Sequence, residues 1–165
     1  MQTKIEELSI LIIGVVSVSR SNMIRYMLKK RKYLLQNMSA FELNGYNKVA
    51  DNTFVNIVPM ITGKFVKELP GIEDMKNVPF DKYDFIWKKY SQHAYRTLYS
   101  EDAPGIQMFD YLKAGFSKFP ADYFNRPFSL AAEDISDLWN SGHQCIHVRP
   151  EADIMLDYLT VSLQI

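Results

Sequence analysis

Leu8–Val16 reads LSILIIGVV, an uncharged run rich in β-branched side chains and flanked by polar residues. A run that is apolar on both alternating faces must have both faces covered, the condition of a strand inside a parallel sheet. The run therefore predicts a buried, central strand that ends just before Ser17. It is too short to cross a bilayer. It also lacks the cleavage pattern of a secretory leader.

The pattern downstream alternates between the two periodicities. Ser17-Val18-Ser19-Arg20-Ser21-Asn22 reads as a polar loop, with Ser21 or Asn22 as cap for a helix over 23–36. Arg25, Lys29, Lys30, Arg31 and Lys32 cluster on that helix and read as a solvated face. Ser39–Leu43 is a short strand candidate and Asn44-Gly45 a turn. Further helices are expected over 83–93, 106–114 and 152–163, and a strand over 95–99. Strand–helix alternation predicts an α/β fold: a mostly parallel sheet with helices on both faces. Ligands of such sheets sit beyond the carboxyl ends of the strands, where Ser17, Thr53 and Glu101-Asp102 would converge.

With 165 residues, 47% of them hydrophobic, the chain suits one compact domain with a core. Nineteen basic residues balance nineteen acidic ones, so no global field points to nucleic acid or to an acidic membrane. Phe116, Phe119, Tyr123, Phe124 and Phe128 have only Lys118 and Arg126 nearby, too few cations for base stacking. That segment reads as a cover for the core. His143, Cys145 and His147 lie close in sequence without the second ligand pair of a structural zinc site, and read as a loop with a half-buried thiol.

Asp51-Asn52-Thr53 puts cap residues and a hydroxyl ahead of an apolar stretch that runs to Met60-Ile61-Thr62-Gly63-Lys64. A helix is expected over 56–62, with Pro59 in its first turn and Gly63 as its stop. Two readings of the loop stay open. Its polar residues are helix caps, or they present a first-turn hydroxyl where helix-end N–H groups stabilise an anion.

Four blocks in order add a resemblance: ILIIGVVSVSR, VADNTFVNIVPMITGK, FIWKKYSQHAYRTLYSEDAP and AGFSKFPADYFNRPF. Together they span most of residues 8–130 and resemble the alkaline-phosphatase/sulfatase superfamily, most closely the sulfatase-like DUF229 proteins of animals. The resemblance implies an alkaline-phosphatase-like sheet and hydrolysis of a sulfate or phosphate ester. In that pattern Thr53 takes the nucleophile position and Lys64 the basic group near it, with Ser17, Arg20 and Asn52 around the anion. Where the superfamily's first strand ends in a metal-binding Asp, this chain has Val16, which offers no lone pair. Val55 stands where the pattern has Pro, and Ala94 where it has Gly.

The later Asp and His ligands of intact relatives fall beyond residue 165. The resemblance thus implies an N-terminal part of the domain over 1–165, with 1–7 flexible and no metal cofactor of its own, whereas intact relatives carry a divalent metal and are secretory-pathway or extracellular proteins. The implied partner is a sulfate or phosphate ester or a small oxyanion, not nucleic acid, and no membrane-spanning segment is expected. A non-catalytic module that keeps the anion pocket around Thr53 is the alternative.

Overall fold

The computed structural model describes residues 8–135, 139–140 and 144–162. The expected flexibility of residues 1–7, and the side chain of His143, lie outside these described residues. The protein is α/β, with helices and short strands in two small sheets. Its contacts divide it into two compact units, Met1–Asn47 and Lys48–Ile165. Among the described residues no helix is long and apolar enough to cross a membrane.

The first unit corrects the reading of the opening run. Leu8–Val16 forms neither helix nor strand, and Leu8 and Val16 are 71% and 57% exposed. Apolar content can nominate a strand, but a strand exists only where a neighbour takes its backbone N–H and C=O groups. No such neighbour pairs with the run among the described residues. The basic helix is also divided. Helix α1, Arg20–Tyr26, is capped by Ser19, whose Oγ accepts the Asn22 N–H at 3.1 Å. Met27 then breaks the helical geometry (φ −112°, ψ 37°) before α2, Leu28–Lys32, and a π turn over Tyr33–Asn37. The π turn is wider by one residue than an α turn. Ser39–Leu43 is not a strand, while Asn44-Gly45 makes the expected turn.

The second unit is built on aromatic packing. Phe80, Phe85 and Phe109 are fully buried, together with Phe54, Val58 and Ile61 of α3, Thr53–Thr62. Phe80 holds the centre: its ring centroid lies 4.9 Å from Phe109, 5.7 Å from Phe54 and 5.7 Å from Tyr83. Phe85 stacks on Trp87 at 4.5 Å, at the start of α4, Ile86–Gln92. The strand expected over 95–99 shrinks to β1, Leu98–Tyr99, which pairs in parallel with β2, Tyr123–Phe124, in the register Leu98↔Tyr123. This is the parallel pairing found among the described residues, so the mostly parallel sheet covered on both faces is not what the structure displays. The helix expected over 106–114 is instead a 3-10 turn at Pro104–Ile106 followed by turns.

Those turns close on Gly115, whose carbonyl accepts the Phe80 N–H at 2.9 Å. Gly115 has φ +66°, and a Cβ there would meet Asp110 Oδ1 at 2.5 Å, so the position requires glycine. Helix α5, Arg126–Glu133, follows β2 directly. The antiparallel strands β3, Trp139–Asn140, β4, Cys145–Ile146, and β5, Arg149–Pro150, then lead into α6, Glu151–Ser162, close to the helix expected there.

Asp81 ties the chain after Gly115 to this core. Its carboxylate accepts Ser117 N–H at 2.7 Å, Ser117 Oγ at 3.0 Å and Lys118 N–H at 2.9 Å. Burial pushes the Asp81 pKa up, but these donors outweigh it and hold the group below the usual carboxylate range. An acid with a depressed folded pKa stabilises the fold above its unfolded value of about 3.9, and that support is lost as pH falls through the folded pKa. These bonds are exposed to solvent, so Asp81→Ala is expected to cost about 0.5–1.5 kcal/mol at neutral pH. In urea unfolding, the gap from the parent chain should close as the buffer is taken below about pH 3.9. A gap that stays constant across that window contradicts this role.

Candidate functional site

The loop before α3 is folded back onto the helix by Asn56. Its Oδ1 accepts the Val49 N–H at 2.6 Å, and its Nδ2 donates to the carbonyls of Ala50 at 2.8 Å and Asn52 at 2.6 Å. Lys48 and Asp51 form an exposed ion pair beside it. Asn52 is the N-cap and accepts the Val55 N–H through Oδ1 at 3.4 Å. Its backbone is at φ 74°, ψ 165°, a region open essentially to glycine alone, so the cap is held under strain.

Helix α3 thus begins at Thr53, three residues earlier than the sequence implies. Pro59 then lies in the helix interior rather than in the first turn, and the Val55 carbonyl loses its usual partner. Gly63 stops the helix in a left-handed conformation (φ 71°), its N–H bonding the Pro59 carbonyl at 2.9 Å.

Thr53 is half-buried, and its hydroxyl has no hydrogen-bond partner among the described residues. The N–H groups of Thr53 and Phe54 likewise lack a backbone partner there. These are the groups a helix start leaves open. Phe54, the next residue, is buried in the core.

A second polar group lies beyond the carboxyl end of β1. Tyr99 donates its hydroxyl to Glu101 Oε1, and the Met108 N–H donates to Oε2 at 2.9 Å. Gln107 Nε2 donates to the Glu101 carbonyl at 2.9 Å. Arg126 Nε pairs with Asp110 Oδ2 at 3.1 Å. Burial pushes the pKa values of Glu101 and Asp110 up, against the pull of their donors. Burial, reinforced by the Glu101 charge, pushes Tyr99 well above its ordinary value. Lys113 links this group to α3: its Nζ lies 4.6 Å from the Phe54 ring centroid, and burial lowers its pKa against the fields of Asp110 and Glu101. Of these residues only Glu101 stood out in the sequence. Asp110, Lys113 and Arg126 carry no local motif, and their pairing depends on the turn at Gly115 and the parallel β1–β2 register.

The expected site residues are distributed over both units. Asn52 and Thr53 meet at the start of α3. Lys64 lies past its C-terminal stop, separated from Thr53 by a helix about 14 Å long. Ser17, exposed with φ 60°, and Arg20 belong to the first unit. The Arg20 guanidinium is engaged by Glu42 Oε1 at 3.1 Å and Asn44 Oδ1 at 3.0 Å. Asp102 is exposed. Cys145 lies half-buried in β4. Among the described residues no three of His, Cys, Asp and Glu are grouped so as to hold a metal ion.

Short strands carried among helices, with a polar helix start above an aromatic core, define an α/β protein. Its family is narrower: the chain belongs to the family described as protein of unknown function (DUF229), whose model matches residues 1–164. No curated protein and no solved structure matches the chain.

The strained cap gives a direct test. Asn52→Gly relieves a backbone cost of about 1–3 kcal/mol and gives up a long cap bond worth a few tenths, so thermal unfolding is expected at an equal or higher temperature. Asn52→Ala loses the bond and keeps the strain, and should unfold earlier by about 1 kcal/mol. The reverse order would contradict this description of the cap.

Proposed function

We propose that the chain is part of a sulfatase- or phosphatase-like ester hydrolase domain whose Thr53 occupies the nucleophile position and whose catalysis is impaired. The observation that carries this reading is the start of α3. The Thr53 hydroxyl and the N–H groups of Thr53 and Phe54 stand at one helix start without partners among the described residues, while Asn52 does the capping. A hydroxyl attacks an ester only when a base or a metal activates it. The divalent metal that the resemblance implies does not fit the residues present: Val16 offers hydrocarbon where a carboxylate would be needed.

The fuller fold implied by this reading is a mostly parallel sheet with helices on both faces, alkaline-phosphatase-like. The parallel β1–β2 pair supports it. Lys64, Ser17 and Arg20 enter this proposal through the resemblance, as the basic and anion-binding groups. The second reading, a non-catalytic module binding a small oxyanion or a sulfate or phosphate ester, is favoured by the same helix start, because anion binding needs no activated hydroxyl.

Calorimetric titration of the full chain with inorganic phosphate and sulfate tests both readings. Weak binding that Thr53→Val reduces about tenfold or more, the loss of a hydrogen bond to a charged group, is the expected result. No binding, or binding unchanged in Thr53→Val, overturns the assignment. Turnover of aryl sulfate or phosphate esters by the parent chain would contradict the impaired reading.

A further inference from the structure

The turn near the end of the first unit carries a chemical pair that the proposed function does not use. Asn44-Gly45 is the one Asn-Gly sequence in the chain. Both residues are exposed, and the turn around them is closed by the Tyr46 N–H, which donates to the Leu43 carbonyl at 3.3 Å. Arg20 of α1 donates through Nη2 to Asn44 Oδ1 at 3.0 Å and through Nε to Glu42 Oε1 at 3.1 Å. Asn44 Nδ2 and the Gly45 N–H have no partner among the described residues. A Cβ added at Gly45 would meet nothing within 4 Å, so the space around this residue is open.

An Asn side chain is short enough to bring its amide carbon to the backbone nitrogen of the next residue. A side chain on that next residue obstructs the approach, and glycine has none. Other asparagines lack this combination. Asn56 lies inside α3 with both side-chain polar atoms bonded, and Ile57 follows it. Asn77 donates through Nδ2 to Asp74 Oδ1 at 2.7 Å, and Val78 follows it. From this juxtaposition we infer that Asn44-Gly45 is a self-modification site, at which Asn44 converts to aspartate and isoaspartate. The Gly45 nitrogen loses its proton and attacks Asn44 Cγ. A bond forms between them, the Cγ–Nδ2 bond breaks, and Nδ2 leaves as ammonia. Arg20 donates to Oδ1, the oxygen on which negative charge develops during the attack. Water then opens the cyclic imide, at the side-chain carbonyl to give aspartate or at the main-chain carbonyl to give isoaspartate. Water is the only co-reactant. Either product places a new carboxylate beside Arg20, so the neutral bond between α1 and the turn becomes a charged one. In the isoaspartate form the backbone runs through Cβ and Cγ, which lengthens the turn that Tyr46 closes.

The test is storage of the full chain under native conditions in heavy-oxygen water, followed by peptide mapping with mass spectrometry. The peptide holding residues 44–45 should lose ammonia and gain solvent oxygen before any peptide holding another asparagine, and should separate into two isomers. Its rate should rise from mildly acidic to mildly alkaline buffer, because the attacking nitrogen must first lose its proton. Gly45→Ala fits the turn, since Gly45 has neither a left-handed φ nor a close neighbour, and should slow the reaction severalfold. An Asn44 that outlasts the other asparagines of the folded chain overturns the site, and so does a rate unchanged in Gly45→Ala. Aspartate formed without isoaspartate would mean direct hydrolysis of the side-chain amide in place of backbone attack, and would overturn it as well.

Discussion

The packing of Phe80 against Phe54, Phe109 and Tyr83 is the contact on which the second unit depends. Phe80 sits on a 3-10 turn, Phe54 on the first turn of α3, and Phe109 on the turns after Pro104. None of these elements is long enough to be stable alone in water. Edge-to-face aromatic pairs of this kind contribute about 0.5–1.5 kcal/mol each beyond the area they bury. The pairs extend outward through Tyr99, stacked on Trp87 at 5.4 Å and on Phe124 at 5.9 Å. The two-residue parallel pair of β1 and β2 is thus supported by side chains more than by its own ladder.

The same core positions the polar groups. Phe54, the residue after Thr53, is buried in it and so ties the start of α3 to the core. Lys113 Nζ lies over the Phe54 ring, where burial lowers its pKa against the charges of Asp110 and Glu101. The carboxylates of Glu101 and Asp110 are half-buried, and burial raises their affinity for protons against the pull of their donors. Asn56 and the strained Asn52 hold the entering loop against the helix start.

Local chemistry was legible in the sequence where one residue settles the outcome. Gly63 as helix stop, Asn44-Gly45 as turn, the capping character of Asn52 and the covering role of Phe116 could all be read without a structure. What depends on a partner could not. Leu8–Val16 has the composition of a buried strand, yet pairing is a property of the neighbour as well as of the run. The interval 106–114 was expected as a helix, but it follows a 3-10 turn entered through the left-handed Ala103, and the left-handed Leu112 interrupts it. Within the site, Thr53 was legible as a helix-start hydroxyl. Asp110, Lys113 and Arg126 were not, because tertiary turns bring them together across unrelated stretches of sequence.

Native-state hydrogen exchange tests most directly whether α3, with Thr53 at its head, is part of the core that Phe80 organises. The amides of Val58, Ile61 and Thr62 should exchange only through unfolding of the whole second unit, at the same free energy as the most protected amides around Phe109. Phe80→Leu should lower both sets by the same amount. Exchange of the α3 amides at a much lower free energy, unmoved by Phe80→Leu, would show a helix that docks independently and would contradict the account.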